Sequence, residues 1–311
     1  MFSIFKKNRD IQQIPDWASF FSNEDYTEFI KVVKDYFTKK NIEYTIQDGV
    51  LTVDTNEFGV NNLGLVNVAQ VCNQDEKRNY KTIVKEHFDS LVRMHEFDHG
   101  FKKTIHDYNK IKEFIGVRLY SIEYFAQVDK NAIVVKPFAE NIYSTLIFDL
   151  PDAIQSIKKE EADEWGKTLD ELFETGIQNI RQKCEFEISR EQMTGDFAIW
   201  FVQGNNFFTP NIAFDFNMHP ELIGTHGSLI GIPHRHAVII YPIENIETVN
   251  AINSLIPIIN GMYHEGPGSI SDYLYWYKDG SFENLPYKIE DNKLQFYPPE
   301  NFVEILNKLS E

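Results

Sequence analysis

Cysteine is scarce: Cys72 and Cys184 are the only two in 311 residues. A disulfide-stapled scaffold needs several pairs, so that class is excluded and a reducing, cytoplasmic setting is expected. No apolar run reaches the roughly 20 residues that span a bilayer. The opening MFSIFKKNR puts apolar residues ahead of basic ones, the reverse of a secretion signal. Residues 1–15 are expected to be a tail, with a membrane-touching segment as the alternative. Cations are few as well: 30 Lys and Arg against 47 Asp and Glu give a net charge of −17. A nucleic-acid backbone is bound by clustered cations, so nucleic acid is not an expected partner. The acidity either just keeps the chain in solution or attracts a basic protein, and it fixes no oligomeric state.

Low-complexity linkers and fixed-period repeats are also missing. What is present is globular: 42% of residues are hydrophobic and 14% aromatic, enough for a large core in a chain of this length. Asn23 to Lys40 has Phe29, Ile30, Val33 and Phe37 at helical spacing. IEYTI and VLTVDT flank Asp48-Gly49, a hairpin signal. LGLVNVAQVC predicts a further strand, Tyr80 to Phe97 a helix, and VRLYSIEYFA and AIVVKPF two more strands. In the second half, FAIWFVQ and FFTPNIAF suggest a hairpin, with Pro210 demoting its second arm to an edge or loop. SLIGI and HAVIIYPI predict core strands separated at Pro233. Helices follow from about Glu244 and from Pro299, with an Asp279-Gly280 turn between them. The fold class expected is α+β: mixed or antiparallel sheets with packed helices, as two halves, 1–130 and 131–311, in one compact body.

Residues 139–182 organise the rest. Asn141 to Leu150 is a β-branched and aromatic run that Pro151 stops. Thr168 with Glu171 forms a capping box for a helix carrying Leu172, Phe173, Ile177 and Ile180. The order PFAENIYSTLIFDLPDAIQSI, EEADEWGKTLDELFETGIQNI, GIPHRHAVIIY, with Trp165-Gly166, Asn179-Ile180 and Pro233 to Arg235, resembles the YtpQ-like bacterial family over about residues 130–285. His236 departs from it where an aspartate is expected. The resemblance implies a fold unit and no activity.

Two clusters could carry chemistry. His95-Glu96-Phe97-Asp98-His99 fits the H-E-x-x-H pattern, in which imidazoles four residues apart share a helix face and one Zn²⁺ while the glutamate activates water. At about 100° per residue His106 falls on the same face, as a third ligand, if the helix survives Gly100. Against this, Lys102 and Ile105 stand where the metzincin extension needs glycine and histidine, Asp98 puts a charge between the histidines, and the face set by Val84, Phe88 and Leu91 equally suits buried structural histidines. The second cluster is His226, His234, Arg235 and His236, with His219 and His264 in the same half. On one strand His234 and His236 would share a face; Arg235 could hold a carboxylate or phosphate bidentately, and structural hydrogen bonding is the plain alternative.

Gly224-Thr225-His226-Gly227 lacks the lysine of a phosphate loop, and the pairs Glu160-Glu161 and Asp163-Glu164 read as a solvated helix face. No cofactor is expected beyond a zinc ion in the first cluster. The expected function is a non-catalytic binding module of immunity or adaptor type, recognising a protein or small ligand; the alternative is a zinc-dependent hydrolase with His95, His99 and His106 as ligands and Glu96 as general base.

Overall fold

The Asp48-Gly49 turn sets the first register. Both residues have positive φ, 48° and 76°, the geometry that joins strands with a matching twist, and it connects β1 (Tyr44–Gln47) to β2 (Val50–Val53). The computed structural model describes residues 14–126, 128–151, 153–193, 197–290 and 293–310. It divides into two compact units, the first running to Thr104 and taking in Pro151–Ala153, the second made of Ile105–Leu150 and the chain from Ile154.

In the first unit, α1 (Asn23–Lys39), β3 (Asn62–Gly64), α2 (Val66–Asn73) and α3 (Tyr80–Phe101) complete a small α+β body. Ser22 accepts the Asp25 amide, satisfying a donor the helix start leaves orphaned. The core is aromatic: Phe37 meets Phe88 edge-on with centroids 4.8 Å apart, beside Phe29, Val33, Leu51 and Val84, all buried.

The second unit opens with a short helix, α4 (Tyr108–Ile111). A four-stranded sheet follows: β4 (Ile115–Ser121), β5 (Val135–Ala139), β6 (Ile142–Leu150) and β7 (Ala153–Ser156), with β4 and β5 antiparallel to β6. Because β4 pairs with β6 along its whole length, the unit boundary falls between Thr104 and Ile105 rather than near 130. The helices α5 (Lys159–Glu164) and α6 (Leu169–Lys183) come next, the latter opened by the Thr168 and Glu171 capping box.

A six-stranded antiparallel sheet dominates the rest, in the order β13-β12-β10-β11-β9-β8. Its members are β8 (Glu187–Gln192), β9 (Ala198–Gln203), β10 (Ser228–His234), β11 (Ala237–Pro242), β12 (Leu274–Lys278) and β13 (Ser281–Asn284). The strands β10 and β11 are buried almost throughout, as central strands covered on both faces must be. One face packs Leu229, Ile239 and Leu274 against Ile252, Leu255 and Ile259 of α7 (Thr248–Glu265). Below them lie the hairpin of β14 (Tyr287–Glu290) and β15 (Lys293–Phe296), and α8 (Glu300–Ser310). The other face packs Ile230, Val238 and Tyr275 against Leu119 of β4 and Ile142 of β6. At one sheet edge Phe282 of β13 meets Phe138 of β5 at 4.8 Å. At the other, β8 exposes Glu187, Arg190 and Glu191.

The pairings β1–β2, β2–β3, β4–β6, β5–β6, β8–β9, β9–β11, β10–β11, β10–β12, β12–β13 and β14–β15 are all antiparallel, and the α+β class holds. Two expected elements differ. LGLVNVAQVC yields only the end of β3 before α2 begins, and FFTPNIAF is no hairpin arm but a 3₁₀ turn, Thr209–Phe214. There Pro210 sits at the helix start, where its missing N–H costs nothing, and β9 takes β8 and β11 as partners instead.

Candidate anion site at the β10–β11 turn

The strand β10 ends at His234 and β11 begins at Ala237, and these two residues pair. Arg235 and His236 are therefore the entire turn. Pro233 lies inside β10 rather than between the strands, and the register slips between Gly231 and His234. Proline cannot donate to the ladder, and such a slip re-aims the side chains that follow. His234 and His236 consequently do not share a strand face; His236 belongs to the turn.

Hydrogen bonds fix both imidazoles. The Gly204 carbonyl can only accept, so Nδ1–H of His236 donates to it at 2.9 Å. That leaves the His236 Nε2 lone pair to accept from Nε–H of Arg235 at 3.0 Å. The backbone N–H of His236 donates to Nδ1 of His234 at 3.2 Å, which places the His234 ring proton on Nε2. Both rings are neutral in this arrangement. Burial holds the His234 imidazole below the ordinary histidine pKa, with His236 and Arg235 adding to the effect. The ring is wedged against Gly266: a Cβ there would lie 2.1 Å from its Cδ2.

The two imidazoles line a cavity of about 1110 Å³ together with Gln203, Asn205, Asn206 and Met262. Cys184 also reaches it, but burial pushes its thiol pKa up to about 11. At neutral pH it is a thiol, not a nucleophilic thiolate. Glu187 accepts from Gln203 Nε2 at 3.2 Å and, with Glu185, supplies the acidic part of the lining.

Beside the cavity, bonded to His236 but not itself part of the lining, Arg235 sets its guanidinium carbon 4.3 Å from the centre of the Phe207 ring. Arg118 of β4 approaches the same ring at 5.3 Å and the Tyr120 ring at 4.7 Å; Tyr120 in turn stacks on Tyr124 at 4.1 Å. Phe207 is 39% exposed. Neither arginine has a carboxylate partner among the described residues, and the Arg118 Nε is buried with no acceptor. Burial, and then the nearby Arg118 charge, lower the Arg235 pKa. Sequence reasoning missed Arg118 and Phe207; the available signal was a lone cation inside the otherwise apolar run Val117-Arg118-Leu119-Tyr120.

The other singled-out residues lie elsewhere. His226 precedes β10, and its carbonyl accepts Trp276 Nε1 at 2.8 Å. Six residues of β10, Ser228 to Pro233, lie between it and His234, roughly 20 Å of strand. His219 faces Glu221, and His264 bonds the Asn260 carbonyl. In the first unit, His95 and His99 lie at the end of α3. The His95 ring packs on Gly59, where a Cβ would lie 2.5 Å from its Nδ1, while Glu96 and His99 are exposed. The helix stops at Phe101, so His106 does not continue its face; it belongs to the second unit, where its ring meets Glu164. Among the described residues no group of three or more His, Cys, Asp or Glu is placed to hold a metal ion, and no helix there is long and apolar enough to cross a membrane. No family model, curated protein or solved structure matches the chain.

Proposed function

We propose that the protein is a non-catalytic binding module that takes a small anionic ligand at the β10–β11 turn. The observation that supports this reading is Arg235: a guanidinium with no carboxylate partner, bonded to a histidine that lines a roomy cavity, in a chain of net charge −17. Arginine is suited to carboxylate and phosphate because its planar fork matches their oxygens. The surroundings favour binding over turnover. Both nitrogens of His236 and Nδ1 of His234 are already engaged, so neither ring offers a free lone pair as general base. An adaptor role, in which the acidic surface also engages a basic protein, is compatible with the same site; such a complex would dissociate as salt screens it.

The test is calorimetric titration at low ionic strength with acetate and with inorganic phosphate. Wild type is expected to bind at least one of them and Arg235→Met to bind neither. Equal binding by the two proteins would remove the site from consideration.

A further inference from the structure

Two arginines share one aromatic ring here, and nothing among the described residues neutralises either. The sequence supplies 47 carboxylates, yet the Arg118 and Arg235 side chains meet on Phe207 rather than on any of them. Like charges brought together away from water are unfavourable unless something compensates them. Arg118 is further committed by its position: it pairs across the sheet with Thr145, and both the Arg118 Nε and the Thr145 hydroxyl are buried with no partner. A buried donor left unpaired costs free energy; with the Nε closed off, a ligand acceptor meets Arg118 at its terminal nitrogens.

Building on the anion reading above, we infer that the ligand is a phosphomonoester, its phosphoryl dianion held between Arg118 and Arg235 and its organic body in the cavity lined by His234 and His236. A single carboxylate carries one negative charge. A phosphoryl group carries nearly two at neutral pH and presents three acceptor oxygens, matching two guanidiniums. Because Arg235 gives its Nε–H to His236, it meets the ligand with its terminal nitrogens. That same bond ties the guanidinium to a ring lining the cavity, so the cavity is the space beside a phosphoryl group held by Arg235. Gln203, Asn205 and Asn206 provide neutral polar contacts there, with Phe201 and Met262 as apolar ones; Lys183 and the acidic Glu185 and Glu187 complete the charged part of the lining, so the organic body rather than the phosphoryl faces them. Phe207 lies against both cations, at 4.3 and 5.3 Å, and covers them on that side, and attraction for an anion strengthens as water is displaced.

The experiment titrates the full chain at pH 7.5 with acetate, inorganic phosphate and phenyl phosphate. Phosphate is expected to bind at least about tenfold more tightly than acetate, and phenyl phosphate more tightly still. Arg118→Met and Arg235→Met are each expected to weaken both phosphates about tenfold or more. Should Arg118→Met fail to fold, Arg118→Lys keeps the stem and the charge but loses the fork, and the same selective loss is expected. If the Arg118 variants bind phosphate like wild type while Arg235→Met does not, the two-arginine inference is overturned and the single-arginine site stands. Equal affinity for phosphate and phenyl phosphate overturns the organic body. Absence of binding by all three anions sinks both readings.

Discussion

The histidines of the first unit and those of the second differ in what their ring nitrogens do. In α3, His95 and His99 have the spacing of a zinc pair, yet neither ring has a hydrogen-bond partner among the described residues, and the helix ends before it can bring a third ligand. In the β10–β11 turn the spacing matches no strong motif, yet a carbonyl, a guanidinium and a backbone N–H fix both tautomers. Metal-ligating histidines are normally oriented through their second nitrogen. Orientation of that kind is found in the turn and not in the helix, so spacing alone pointed to the less organised of the two places.

The largest expected effect tests whether the first unit is chiefly structural. Phe88→Ala empties the centre of its aromatic cluster and should cost about 3–5 kcal/mol, read as a lower urea midpoint, with phosphate affinity of any folded protein unchanged. Loss of affinity would contradict the division of labour. Next comes a matched pair. Gly266→Ala drives a methyl into the His234 ring and Gly59→Ala drives one into the His95 ring; each should destabilise by about 1–3 kcal/mol, but only Gly266→Ala should weaken phosphate binding. The Gly59 change also strains a backbone with φ of 72°.

Acid should touch both units. Burial lowers the pKa of His87 and of His234 from 6.5, so as pH falls below that value the unfolded chain takes up protons that the folded chain refuses. Stability is full above about pH 6.5 and declines as pH drops towards the folded pKa values, by at most about 1.4 kcal/mol per pH unit for each imidazole. Urea midpoints between pH 7.5 and 5.5 should show the decline, and His87→Gln and His234→Gln should each flatten it. The smallest effect concerns the helix pair. His95→Ala/His99→Ala should leave the metal content of protein purified without an affinity tag unchanged, at near zero zinc. Stoichiometric zinc in wild type that disappears in the variant would restore the hydrolase reading.

Local chemistry was the legible part of the sequence. The turns at Asp48-Gly49 and Asp279-Gly280 form with the positive φ they signal, and Thr168 caps its helix with Glu171. LGLVNVAQVC misled because its valines suggest a strand by type, whereas Leu65, Val68, Ala69 and Cys72 are buried at helical spacing and Val71 is 52% exposed. Periodicity outweighed propensity there. At the site, Arg235 and His234 could be named from their neighbours in the chain. Arg118 showed only as a lone cation in an apolar run and Phe207 not at all, because they meet Arg235 only once β4, β9 and the β10–β11 turn are in place.

The exposed edge of the six-stranded sheet has a consequence for how the protein behaves in a crowd. A strand with unpaired backbone groups is a template for another chain, and charges set along it discourage that pairing. Any chain extending the sheet past β8 would have to lie beside Glu187, Arg190 and Glu191, all exposed, and strip water from them. With Phe282 at the opposite edge already covered by Phe138, both edges of that sheet are set against edge-to-edge pairing with another chain.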